Sequence, residues 1–114
     1  MDNPILNKSF NFSVKIIRLY QGLIAEKKEY NLSKQILRSA TSIGANVEEA
    51  IGGLSKKDFA AKMGIAYKEA RETHYWLRLL HATDYIDTHQ YESLLKDCDE
   101  ILKILFSIIR TAKS

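Results

Sequence analysis

Cysteine and proline each occur once among the 114 residues, and glycine only five times. The lone Cys98 excludes an intramolecular disulfide and a cysteine-rich zinc site. The lone Pro4 sits ahead of the first periodic segment, where it breaks no helix. Long apolar runs are missing too. Ile101, Leu102, Lys103, Ile104 and Leu105 are typical, with a charge interrupting at helical spacing, so no stretch approaches the roughly 20 residues of a membrane span. No membrane contact is expected. The opening MDNPILNKSF is polar and reads as no secretory signal, which makes the cytoplasm the expected compartment.

Catalytic signatures are equally scarce. His74, His81 and His89 are the three histidines, and none lies in an HExxH or in the Glu-x-x-His repeats of a di-iron bundle. No Arg is followed by His at the spacing of the small all-helical ribonucleases. Gly52 and Gly53 lack the Lys-Ser or Lys-Thr of a phosphate-binding loop. No catalytic residue, metal site or cofactor is expected, and the chain reads as non-enzymatic.

What is present is helical periodicity. Hydrophobic residues at 46% and charged residues at 27% suit one soluble domain spanning residues 1–114, with a single core. The expected fold is all-α, an antiparallel up-down-up-down four-helix bundle. Helix 1 is expected from about Ser9 to Lys28, turning Phe10, Val14, Ile17 and Ile24 inward, with Tyr20 and Leu23 beside them. Asn31 to Ser33 forms a connection. Helix 2 then buries Ile36, Ala40, Ile43, Val47, Ala50 and Ile51. Gly52 and Gly53 end it, glycine tolerating the left-handed conformation that often closes a helix. Ser55 and Asp58 resemble a capping box for helix 3, Lys56 to Ala82, whose inner stripe is Phe59, Met63, Ala66, Ala70, Thr73, Leu77 and Leu80. Asp87 and Gln90 form a second capping pair before helix 4. Its apolar arc, from Tyr91 through Phe106 to Ala112, spans roughly 160°, more than the ~100° one bundle requires. Helix 4 is therefore expected to meet something besides its own core.

Three polar constellations follow from the same spacing. On helix 2, Arg38, Ser42, Ala45 and Glu49 share the polar side, Ser39 and Asn46 flank the buried stripe, and small residues there invite close helix packing. On helix 3, Glu69 and Glu72 lie on a stripe with Ile65, Trp76 and Leu79. Carboxylates on so apolar a face need partners, and Arg38 or Lys62 is placed to supply one. Arg38, Ser42, Asn46, Glu69, Glu72 and Trp76 are thus expected to form a structural or interface network. The opposite flank carries Tyr67, Arg71, His74, Arg78 and His81, a basic and aromatic stripe that suits nucleic acid and equally a solvated edge. Lys15 and Arg18 on helix 1 add to the candidate nucleic-acid surface. Charge is uneven along the chain. Through Val47, seven basic residues face only Asp2, Glu26 and Glu29, whereas the remainder is slightly acidic around an overall +3. A basic half permits polyanion binding without requiring it.

At QILRSATSIGANVEEA, continuing through SKKDF, KMGIAYKEARET and YWLRLL, the chain resembles the four-helix-bundle proteins encoded in intervening sequences of bacterial 23S ribosomal RNA genes. That family also carries a ribosomal-protein label, and its relatives include the accessory variability protein of diversity-generating retroelements. The matching positions are Arg38, Ser39, Ser42, Asn46 and Glu48 in helix 2, Ser55 and Phe59 at the hairpin, and Glu69, Glu72, Trp76 and Leu77 in helix 3. A departure falls after Glu48, where Glu49, Ala50 and Ile51 precede the first glycine. The resemblance implies a subunit of a homopentamer with a basic surface used for nucleic acid, rRNA or DNA, and opens a reverse transcriptase or other protein as a partner. The alternative function is a protein-interaction scaffold whose helix 4 surface docks itself or another helical partner.

Overall fold

Four helices account for nearly the whole chain in the computed structural model, which describes residues 3–113. They are α1 (Pro4–Ala25), α2 (Leu32–Ile51), α3 (Lys56–Ala82) and α4 (Thr88–Lys113). Connections of a few residues force each helix to return beside the last. The packed pairs are α1 with α2, α2 with α3, α3 with α4 and α4 with α1, which closes a four-helix ring measuring 44 × 24 × 20 Å. The α2–α3 pair is the most intimate, and the ring closes least tightly between α1 and α4. No helix among the described residues is long and apolar enough to cross a membrane.

The stripes read from α2 and α3 are the buried ones. Ile36, Ala40, Ile43, Val47 and Ala50 meet Met63, Ala66, Ala70, Leu77 and Leu80 in the core, with Phe59 partly buried at the edge. Ile51 departs from its expected place and is exposed at the C-terminal end of α2. Most of the broad α4 arc is absorbed within the subunit. Leu94, Cys98, Ile101 and Leu105 are buried, and Leu95, Leu102, Ile104, Ile108 and Ile109 pack partly against them. Phe106 and Ala112 remain exposed.

Helix α1 departs from the expectation in both boundary and face. It begins at Pro4, not Ser9, with proline at the first helical position, where its missing N–H costs nothing. Asn3 caps it, its side chain accepting from the Leu6 N–H at 3.4 Å. The buried stripe is Ile5, Ser9, Phe12, Ile16, Leu19 and Leu23. Phe10, Val14 and Ile17, expected inside, are 65%, 39% and 38% exposed. Both stripes repeat at three- and four-residue steps, so periodicity fits either. The inner one carries the larger apolar surface, Ile5, Phe12, Ile16, Leu19 and Leu23, and it turns Lys8 and Lys15 to the edge facing α4, where Glu100 and Asp97 lie at 2.8 and 2.7 Å.

The turns explain where the backbone is pinned. Ser55 caps α3 by accepting from the Asp58 N–H at 3.0 Å, and Asp87 accepts from the Gln90 N–H at 2.7 Å, as the spacing predicted. Helix α2 begins at Leu32, inside the expected connection. Its first turn is capped by Glu29. The Glu29 carboxylate accepts from the N–H groups of Asn31, Leu32 and Ser33 at 3.1, 2.9 and 2.7 Å, while the Ser33 hydroxyl donates to the Glu29 carbonyl at 2.7 Å. The glycines closing α2 do not use the left-handed region: no described glycine has positive φ. Gly53 is needed for space instead, since a Cβ there would lie 3.1 Å from the Ala50 carbonyl oxygen. The left-handed positions are Lys28 (φ 55°) and Asp84 (φ 65°). Asp84 closes α3 in a Schellman arrangement, with Tyr85 N–H donating to the Leu80 carbonyl at 2.9 Å and Asp84 N–H to the His81 carbonyl at 3.1 Å.

Candidate functional site

The α2–α3 face assembles the expected carboxylate network around one guanidinium. Arg38 donates through Nη1 to both oxygens of Glu69 at 3.3 Å and through Nη2 to Glu72. Trp76 donates its indole N–H to the same Glu72 at 2.9 Å, one turn along α3. Burial alone would raise the Glu72 pKa. The Trp76 and Arg38 hydrogen bonds and the Arg38 charge outweigh it and hold the carboxyl below its usual range. Glu72 therefore stays ionised near neutrality, which suits a fixed anchor and not a general acid. The other expected partner, Lys62, pairs with Glu49 at 2.9 Å.

Ser42 and Asn46 lie on the same face but bond within α2. Ser42 donates to the Arg38 carbonyl at 2.7 Å and Asn46 to the Ser42 carbonyl at 2.8 Å. Beneath them, the hydroxyls of buried Ser39 and Thr73 meet at 2.8 Å, a polar tie between α2 and α3 inside the core. The small side chains of α2 also serve packing inside the subunit. Gly44 faces α1, where a Cβ would sit 3.5 Å from the Ser13 hydroxyl and the Ser9 carbonyl.

The basic and aromatic stripe of α3 runs along the seam with α4 and is partly engaged there. Tyr67 packs against Phe106 with ring centroids 6.1 Å apart. His74 lies 3.2 Å from the Asp99 carboxylate. His81 stacks on Tyr91 at 4.0 Å and 5°, with its Nε2 3.2 Å from the Thr88 hydroxyl. Arg78 rests its guanidinium 5.7 Å above the exposed Tyr75 ring. Arg71 and Arg78 are exposed and form no ion pair among the described residues, and they border an open groove of about 640 Å³ with Glu72, His74, Tyr75, Asp99 and Leu102. On α1, Lys15 is tied to Asp97 at 2.7 Å, whereas Arg18 has no ion-pair partner among the described residues and edges two grooves against α4.

Two contributions escaped the sequence reading. Asp97, Asp99 and Glu100 of α4 intercept Lys15, His74 and Lys8, a pairing that only the closed ring creates. Their placement between the apolar positions of α4 was the available signal. Glu29 enters the sequence reading only as one of three acids in the basic half, yet it is 8% exposed. Burial pushes its pKa up, and the three backbone N–H groups, with the Ser33 hydroxyl, pull it further down, so the net shift is below the ordinary value. Its position ahead of Asn31-Leu32-Ser33 was the legible clue.

A crystal structure of a protein of unknown function from the S23 ribosomal protein family of Bacteroides thetaiotaomicron VPI-5482 shares 54% identity, covering 92% of this chain and 97% of that one, and superposes with a TM-score of 0.91. No curated protein matches the chain. The 23S rRNA-intervening sequence protein family matches residues 1–107. A match over nearly the whole length, joined to the shared bundle, establishes that the chain belongs to the 23S rRNA-intervening sequence protein family.

Proposed function

We propose that this protein is a non-enzymatic cytoplasmic bundle that self-associates and holds structured nucleic acid, rRNA or DNA, by its phosphates. The observation that carries the reading is the pair Arg71 and Arg78, two turns apart on one face of α3, both exposed and, among the described residues, without a carboxylate partner, beside the exposed ring of Tyr75. Lys8, Lys15, Arg38 and Lys62, by contrast, engage acids. Guanidinium forks left open on a rigid helix suit phosphate oxygens, and the family takes its description from 23S rRNA intervening sequences. Such contacts give affinity that falls steeply with salt and discriminates sequence weakly. Fluorescence anisotropy against rRNA fragments and duplex DNA in rising salt tests this. Charge reversal by Arg71→Glu with Arg78→Glu is expected to abolish binding with helicity unchanged. Absence of binding by the native protein at low salt rejects the proposal.

A scaffold reading has an observation of its own. Phe10, Val14 and Ile17 make an outward apolar stripe on α1, and Phe106, 53% exposed, adds an apolar point on α4. Surfaces of this kind mark places where another chain docks. Self-association serves either reading, and a homopentamer, as the resemblance implies, would multiply the open cations.

A further inference from the structure

We propose that the turn between α1 and α2 is a second contact surface, a basic tip that takes unpaired nucleotides of a polynucleotide strand; this rests on the nucleic-acid reading above. In the sequence, the segment Glu26-Lys27-Lys28-Glu29-Tyr30 mixes signs and looks nearly neutral. The structure separates them. The Glu29 carboxylate turns inward onto the N–H groups of Asn31, Leu32 and Ser33, so its negative charge faces the start of α2 and little of the residue reaches the surface. Lys27 and Lys28 in the turn, and Lys34 in the first turn of α2, are exposed and form no ion pair among the described residues. Glu26 is the one exposed carboxylate among them. Among these ammonium groups projects Tyr30, 56% exposed and in no ring contact with the described residues.

Ammonium groups on flexible stems meet phosphates without regard to sequence. A lone projecting phenol ring stacks only on a base whose face is open, as in a loop, a bulge or a single strand, and not inside a duplex. A lipid surface is the less fitting partner. The neighbouring side chains are small Ala25 and partly buried Leu32, which leaves little apolar area to insert beside the ring.

The test uses the full chain with short oligo(rU), oligo(dT) and a blunt duplex, followed by anisotropy at low salt. Tyr30→Ala is expected to weaken both single strands about ten-fold, the loss of one stacked base, and to leave duplex binding unchanged. Lys27→Glu, Lys28→Glu and Lys34→Glu combined are expected to remove single-strand binding. Equal effects on oligo(rU) and oligo(dT) support recognition of base and phosphate alone; a loss confined to one of them supports the tip and assigns its strand. Undiminished single-strand binding in both tip variants, with loss in the Arg71 and Arg78 reversal, overturns the tip and spares the wider reading. No binding of any strand or duplex by the native chain overturns both. A tip defect seen only with anionic vesicles overturns it in favour of a membrane.

Discussion

At the scale of single residues, Glu29 shows how one side chain can decide both stability and surface chemistry. Its carboxylate satisfies three N–H groups that would otherwise be orphaned at the start of α2. Because its pKa is lowered on folding, the stabilisation is fully present above the unfolded value near 4.5 and is lost as pH falls through the folded value. Glu29→Gln should cost about 1 kcal/mol near neutrality, comparable to the loss of a helix cap. In urea titrations, the gap between native and variant should shrink as the buffer is acidified. A gap that stays constant into acid would show that ionisation is irrelevant to the cap. Glu72 has a shift of the same sign, so it steepens the acid loss of the native chain.

At the scale of elements, legibility depended on whether a helix has one uninterrupted apolar stripe or two. In α3 only the inner stripe is free of charge, and Met63, Ala66, Ala70, Thr73, Leu77 and Leu80 are buried as the spacing requires. Helix α1 has two. Phe10, Val14 and Ile17 repeat as regularly as Phe12, Ile16 and Leu19, and the packing of the whole ring selects between them, with Lys8 and Lys15 meeting Glu100 and Asp97 at its edge. The Arg38 network was readable because Glu69 and Glu72 sit on an apolar face that demands a cation. The role of Glu29 was not, because a cap formed from ahead of the helix lacks the Ser/Thr-x-x-Glu pattern. Helix α3 also supports a local prediction. Gly64 lies well inside it, and a Cβ there would meet nothing within 4 Å. Gly64→Ala should therefore raise stability by about 1 kcal/mol through helix propensity alone. A chemical-denaturation midpoint that falls instead would place a neighbouring chain against that spot.

At the scale of the whole molecule, the outward stripe of α1 is where assembly and fold can be separated. Phe10→Ser with Ile17→Ser removes two large exposed apolar groups without touching the core. Light scattering should find the native protein heavier than its 13.1 kDa chain and the double variant at the chain mass, with the same helical circular dichroism. A native protein at chain mass over every concentration rejects self-association. The core, by contrast, guards the chain's one thiol. Burial, with Asp99 and Asp97 nearby, pushes the Cys98 thiol up to about 12, and its Sγ lies 3.4 Å from the Ala70 carbonyl between α3 and α4. The thiolate is the form that attacks alkylating reagents and peroxide, and this pocket suppresses it. The chain thus carries an internal clock: its sole thiol ages only in the moments when the helices part, and the pace of that chemistry measures how often they do.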